Sequence, residues 1–237
     1  MRVYKKKIAL NKKDVKNFFE GRVPRLKEDP LTAVLYQDSN PELAYQRNEY
    51  EKKKIIQLLK LNKKDSILDV GCGIGRWVEI LYKKIESYFG IDFQADFIEY
   101  AKEEYKNYDN VSFLVLDATK ISSDTLGTRS YSKILIAGLL LYLNDKEVKK
   151  LFENLKTITK ENALIYLREP IAIEERLSLK KNWSKELNQE YSALYRTKEE
   201  LFSLISGFEI MQEGEMYTEE LNNRKETKQY YFILRKI

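Results

Sequence analysis

The sequence predicts an α/β fold, a doubly wound and mostly parallel sheet with N-terminal helices and a helical cap insertion. Two observations carry that reading. From Ser66 onward, apolar runs of strand length alternate with helical patterns, the order in which crossover helices cover both faces of a parallel sheet. The first of these runs, Ile67-Leu68-Asp69-Val70, leads into Gly71-Cys72-Gly73-Ile74-Gly75, with glycines at every second position before a helical stretch. Glycine lets the backbone turn sharply there and approach a ligand where any Cβ would clash.

In chain order, Lys13 to Glu20 reads as a helix, and Gly21 to Ser39, which holds Pro24 and Pro30, as an irregular arm. Asn40 to Leu61 reads as a long helix, because Asn40 offers an N-cap and Pro41 suits the first helical position. Then come strand Ile67 to Val70, helix Arg76 to Lys84, strand Tyr88 to Ile91, helix Ala95 to Tyr105 and strand Val111 to Leu116. A short connection holding Gly127 leads to strand Tyr131 to Ile136, helix Asp145 to Thr159 and strand Ala163 to Leu167. The stretch from Glu169 to Thr197, rich in Trp, Tyr, Arg and Leu, fits no strand of this sheet and reads as a helical insertion over a pocket. Lys198 to Ser206 reads as helix, and Phe208 to Glu213 and Tyr230 to Arg235 as strands. The expectation is one domain over 1–237: a helical lid (1–62), a ligand-binding core (63–168), a substrate cap (169–197) and a C-terminal helix with strands (198–237).

Composition narrows the function. A chain of 237 residues with 43% hydrophobic and 33% charged residues suits a soluble globular protein. No apolar run reaches the ~18 residues of a membrane span, and Met1 to Lys7 lacks a signal-peptide apolar region. The single cysteine, Cys72, allows no intrachain disulfide and fits a reducing compartment, so a cytoplasmic location is expected. The net charge of +5 is mild, and acids interleave with the lysine clusters at 5–7 and 52–54, unlike the basic stripe of a nucleic-acid binder. There is no histidine, which removes the commonest general base and the commonest metal ligand; no metal site is expected.

A second strand, Tyr88 to Asp92, ends in an acid about twenty residues beyond the first glycine, the spacing of a carboxylate that grips a ribose. The glycine spacing is G-x-G-x-G rather than G-x-G-x-x-G, and Asp69 two residues ahead would repel a pyrophosphate but suit a ligand bearing an ammonium group. With Leu116-Asp117-Ala118 and the run Ile134 to Asp145, these segments resemble the class I S-adenosylmethionine-dependent methyltransferases over roughly Asn40 to Thr159. The resemblance implies a Rossmann-like sheet and S-adenosyl-L-methionine as cofactor. It implies that Gly71 and Gly73 approach the methionine part, that Asp69 acts on its amino group through water, and that Asp92 accepts from both ribose hydroxyls. It further implies Phe93 packed on adenine, Asp117 and the Ala118 backbone reading its edge, and Ala137 in the loop beside the reacting methyl. Tyr36 and Arg47 resemble residues that close over the cofactor, with Arg47 pairing to its carboxylate.

Methyl transfer from a sulfonium needs an aligned, deprotonated nucleophile and exclusion of water. Related small-molecule enzymes place a histidine in the fourth-strand loop, where this chain has Leu141, so Glu169 and Tyr142 become the candidate catalytic residues. Arg168, Tyr191, Tyr195 and Arg196 are the candidate substrate ligands, because arginine forks match phosphates and carboxylates. Arg168-Glu169-Pro170, Tyr191 to Thr197, Thr227 to Phe232 and Leu35 to Asp38 resemble methyltransferases of bacterial capsule and surface-polysaccharide genes, including those associated with methylphosphoramidate decoration. The expected acceptor is a small anionic molecule. RNA 2′-O-methylation and a non-catalytic cofactor-binding role remain open, as do O- against N-transfer and a monomer against a homodimer.

Overall fold

The chain opens with a short strand, β1 (Arg2–Tyr4), and then the helix α1 (Lys12–Glu20), capped by the Asn11 side chain. A 3-10 turn and the short α2 (Pro30–Val34) precede α3 (Pro41–Leu59), where Asn40 accepts from the Leu43 amide and Pro41 occupies the first turn, as its sequence predicts. Alternation follows: β2 (Ser66–Val70), α4 (Val78–Leu81), β3 (Ser87–Asp92), α5 (Ala95–Glu104), β4 (Val111–Val115), α6 (Ser123–Leu126), β5 (Tyr131–Ala137) and α7 (Asp145–Ile158). The C-terminal third holds β6 (Thr159–Ala172), β7 (Leu177–Ser184), β8 (Gln189–Tyr195), α8 (Lys198–Phe202), β9 (Phe208–Glu215) and β10 (Thr227–Lys236). This computed structural model describes residues 1–35, 39–127, 129–184, 187 and 189–237.

Seven strands form the main sheet in the order β4-β3-β2-β5-β6-β10-β9. The five from β4 to β6 run parallel, and β10 lies antiparallel to both its neighbours. The expected doubly wound sheet is therefore present. Its order reverses between β2 and β5, and the carboxyl ends of strands at such a switch point open a crevice between diverging loops. Side chains from alternate positions of the same strands feed two apolar clusters, one including Leu68, Val70, Ile134 and Ile136, the other Ile67, Leu135 and Tyr166.

The cap departs from expectation. The described residues of 169–197 are not helical: β6 continues to Ala172, and β7 pairs antiparallel with both β1 and β8 in a second sheet of order β1-β7-β8. β7 lies between β8, its antiparallel neighbour in sequence, and β1 at the far end of the chain, so the sheet is completed by a partner no local pattern reports. The periodicity of β7 is also broken by a bulge, where the register jumps from Leu179↔Ala193 to Asn182↔Tyr191. The lid is likewise not all helix, since it begins with β1. A third apolar cluster (Leu10, Val15, Phe18, Leu141, Tyr142, Ala193 and Leu194 among others) joins the N-terminal arm, the loop after β5 and the cap sheet. Among the described residues, no helix is long and apolar enough to cross a membrane.

Candidate active site

A cleft of about 420 Å³ lies at the switch point, over the carboxyl ends of β2, β3 and β5. Gly71 and Gly73 form its floor in left-handed conformations, with φ of +76° and +54°. A Cβ on Gly73 would stand 2.8 Å from Val34 Cγ1, and one on Gly71 3.3 Å from Leu139 Cδ1. The amides of Gly71 and Cys72 both donate to the Ile91 carbonyl, which locks the loop onto β3.

Asp92 ends β3 at the cleft surface. Its Oδ2 accepts from the Gly73 amide at 3.0 Å and its Oδ1 from the Gln94 amide at 2.9 Å. Burial pushes its carboxyl up to about 6, against the lowering effect of those amides. A carboxylate has about four lone-pair sites, so Asp92 keeps spare acceptor capacity beyond its backbone amides. Phe93, Asp117, Ala118 and Ala137 line the same end. Asp117 accepts from the amide and hydroxyl of Thr119, with Lys12 Nζ 3.8 Å away. Phe19 from α1 stands edge-on to Phe93 at 5.2 Å and to Tyr142 at 5.1 Å, so the N-terminal arm reaches over the cleft.

The opposite wall is basic. Glu51 of α3 is fully buried and accepts from Arg76 Nη2 (2.9 Å), Arg168 Nε (3.0 Å) and the Tyr166 hydroxyl (2.7 Å). Burial alone would raise the Glu51 carboxyl, but the charges of Arg168 and Arg76 hold it at about 2. Both arginines face the cleft; Arg76 also donates to Asn48 and lies 3.5 Å over the Trp77 ring, and Arg168 donates to Gln229. Two guanidiniums share one carboxylate, which leaves this trio one net positive charge. Gly138, at φ +75°, makes room for Arg168: a Cβ there would stand 2.9 Å from Nη1. Arg47 lines the cleft beside them, with its guanidinium donating to the Leu221 carbonyl and the Asn223 side chain and lying over the Tyr217 ring.

Three expected roles need correction. Glu169 is not poised as a base: its Oε1 accepts from the amides of Leu139 and Leu140 at 2.8 Å and its Oε2 from that of Leu141 at 3.3 Å. Burial raises its carboxyl to about 6 even so, and its work is to hold the loop after β5. Arg196 does not face the cleft as a substrate ligand. It donates to Asp145 and to the carbonyls of Leu140 and Leu143, clamping the same loop from its other side. Asp69 is 1% exposed beneath the glycine loop, where it accepts from the Tyr88 hydroxyl, and burial lifts its carboxyl to about 7. It offers nothing at the cleft surface.

Tyr142, Arg168, Tyr191 and Tyr195 do line the cleft. The hydroxyls of Tyr191 and Tyr195 stand 2.6 Å apart, and burial with that contact pushes the Tyr195 phenol well above its usual value. Tyr36 lies outside the described residues. Sequence reasoning missed Glu51, Arg76, Gly138 and Phe19. Arg76 follows the third glycine directly and could have been found from that position; nothing local marks the others. Among the described residues no cluster of three potential metal-binding side chains occurs.

The geometry suits an adenosyl amino acid: paired glycines without room for a Cβ, a carboxylate with spare acceptor sites and a basic wall opposite. Comparisons agree in kind. Residues 67–162 match the family described as "Methyltransferase domain". Phosphoethanolamine N-methyltransferase 1 of Zea mays is 33% identical over 120 residues, 50% of this chain and 24% of that protein. Ribosomal RNA small subunit methyltransferase A of Clostridium botulinum is 29% identical over 108 residues, 44% of this chain and 39% of that protein. The chain thus spans well under half the length of these relatives. In fold, Haemonchus contortus phosphoethanolamine N-methyltransferase 1, solved with phosphoethanolamine and S-adenosylhomocysteine, superposes with a TM-score of 0.72 at 17% identity, covering 96% of this chain and 51% of that one. Residues 67–162 thus match a methyltransferase domain, the sheet has the class I methyltransferase fold, and S-adenosyl-L-methionine is the implied cofactor.

Proposed function

We propose that this protein transfers a methyl group from S-adenosyl-L-methionine to a small acceptor that carries an anionic group, and that the receiving atom is an amine nitrogen. The observation that carries the reading is the shared-carboxylate wall: Arg76 and Arg168 on one buried Glu51, facing a cleft whose other side is the Gly71–Gly73 floor and Asp92.

The cofactor, when bound, supplies an electrophilic methyl on sulfur. Asp92 accepts from the ribose hydroxyls, Phe93 packs on adenine, and Asp117 with the Ala118 backbone reads the adenine edge. Gly71 and Gly73 admit the methionine portion, and Arg47 with Arg76 meets its carboxylate. Leu139, Leu141 and Tyr142 are held in place by Glu169 and Arg196 and keep water from the transfer chamber. Arg168 takes the acceptor's anion, with Tyr191 and Tyr195 beside it as hydroxyl partners.

The choice of nitrogen follows from proton accounting. Among the described cleft residues, Glu147 is engaged by Lys12 and Asn144, and Asp92 and Asp117 stand at the adenosine end. Glu169 is engaged by three amides and Glu51 by two arginines. An alcohol would need a base to lose its proton, whereas an amine reaches the site as the free base by losing its proton to solvent. The amine-and-phosphate acceptor named for the maize and nematode proteins fits the same description. On the resemblance of its C-terminal motifs, we assign the activity to bacterial capsule or surface-polysaccharide modification in the cytoplasm.

The test is calorimetry with S-adenosylhomocysteine, followed by labelled-methyl transfer to phosphorylated amines and to matched phosphorylated alcohols. Binding with transfer to amines alone is expected. A protein that binds no S-adenosylhomocysteine overturns the whole reading, and one that methylates only alcohols overturns the choice of nitrogen. Tight S-adenosylhomocysteine binding without any transfer would favour a non-catalytic role.

A further inference from the structure

The bulge in β7 lies outside the lining of the main cleft. Two residues, Lys180 and Lys181, stand opposite Ser192, and Lys181 takes a left-handed conformation (φ +43°) with its amide donating to Ser192 Oγ at 2.9 Å. Bulges shift the alternation of a strand by one residue and re-aim the side chains that follow. Before the bulge, Leu177 and Leu179 point into the molecule; after it, Trp183 stands 58% exposed. Trp183 borders a second pocket of about 200 Å³, with Arg2, Asn182, Tyr191 and Arg224 among its walls. Tyr191 and Arg224 also line the main cleft, so the two spaces share a wall. Arg2 is fixed there by Glu226 and Tyr4.

Ring systems stack on aromatic side chains whatever their edge pattern, and arginine forks match phosphates. We propose that this pocket is an outer subsite that receives the far end of the acceptor, a nucleobase stacked on Trp183 and joined through phosphates near Arg224 to the part methylated in the cleft. The inference rests on the methyltransferase reading and makes the preferred acceptor a nucleotide-linked molecule, of which a free phosphorylated amine is the reacting fragment.

The protein loaded with S-adenosylhomocysteine would be titrated with uridine 5′-diphosphate while tryptophan emission is followed, with inorganic pyrophosphate and uridine as parallel probes. Trp77 is 1% exposed, so a ligand in the outer pocket reports through Trp183. The expected result is saturable quenching by uridine 5′-diphosphate that disappears in Trp183→Phe. By calorimetry, Trp183→Ala should weaken that probe by about fivefold or more and leave S-adenosylhomocysteine affinity unchanged. No saturable quenching, equal binding of pyrophosphate, or a Trp183→Ala variant that binds the diphosphate as tightly as the wild type would each overturn the subsite. Failure of the wild type to bind S-adenosylhomocysteine would instead overturn the methyltransferase reading.

Discussion

The two walls of the cleft differ in how the chain builds them. The wall proposed for the nucleoside comes from one continuous stretch, Gly71 to Ala118, in which each strand hands its carboxyl end to the next turn. The wall proposed for the acceptor and the cofactor's carboxylate gathers Phe19 from α1, Arg47 from α3, the loop after β5, Arg168 from β6, Tyr191 and Tyr195 from β8 and Gln229 from β10. The first wall depends on backbone geometry and one carboxylate; the second depends on ion pairs between residues far apart in sequence. Substitutions in the second wall should therefore damage the fold, and those in the first should damage binding and spare the fold.

The largest effect is expected at Glu51. Removing it leaves Arg76 and Arg168 buried without their carboxylate, and breaking a buried pair costs about 3–5 kcal/mol. Glu51→Ala should lower the melting temperature accordingly. A variant as stable as the wild type would show that the acceptor wall does not depend on this charge. Asp92→Ala should do the converse, weakening S-adenosylhomocysteine by about 2 kcal/mol or more, the scale of lost hydrogen bonds to a charged group, with a small change in melting temperature. Calorimetry paired with thermal denaturation reads both.

Acid exposes the same contrast. The carboxyls of Asp92 (about 6), Asp69 (about 7) and Glu169 (about 6) are raised by burial, so between their unfolded values near 4 and these values the folded protein holds more protons than the unfolded chain. Through these groups stability falls as pH rises from about 4 to about 7. Glu51 (about 2) and Asp145 (lowered by Arg176 and Arg196 against burial) act oppositely, and their contribution is lost as pH falls below about 4 toward 2. The free protein should thus be most stable on the acid side of neutrality, while S-adenosylhomocysteine affinity drops below pH about 6 as Asp92 takes up its proton. If affinity and melting temperature track each other across this range, Asp92 does not act as an ionised acceptor.

The same division explains what could be read from sequence. The parallel sheet, the Asn40 cap and the cleft positions of Gly71, Gly73, Asp92, Phe93, Asp117 and Ala118 were legible because the local geometry of each is set within a few residues. The helical cap was wrong because β7 and β8 pair as a hairpin completed by β1 from the other end of the chain, and the Lys180–Lys181 bulge hides the alternation of β7. Glu169 and Arg196 do reach the loop after β5 but bind it rather than face the cleft. Sequence position brings them to the loop after β5, and only the fold shows that the loop's own amides and carbonyls consume their charges.

Glu169→Gln tests that reassignment. An amide oxygen can still accept from two of the three loop amides, so the cost should be about 1–2 kcal/mol of stability. Methyl transfer should persist, whereas a general base could not be replaced by an amide without loss of nearly all activity. Rescue of the wild-type pH profile by the Gln variant would confirm a holding role; abolished transfer with an intact melting temperature would restore the base.

The smallest effect should come from Lys12, which links α1 to the core through Glu147 at 2.7 Å but is largely exposed. Exposed pairs contribute less than about 1 kcal/mol, so Lys12→Met should barely move the melting temperature. Phe19→Ala, which removes the ring contacts with Phe93, Phe97 and Tyr142, should loosen the arm far more and speed proteolysis between α1 and α3. The reverse order would mean that charge, and not aromatic packing, holds the N-terminal arm over the cleft.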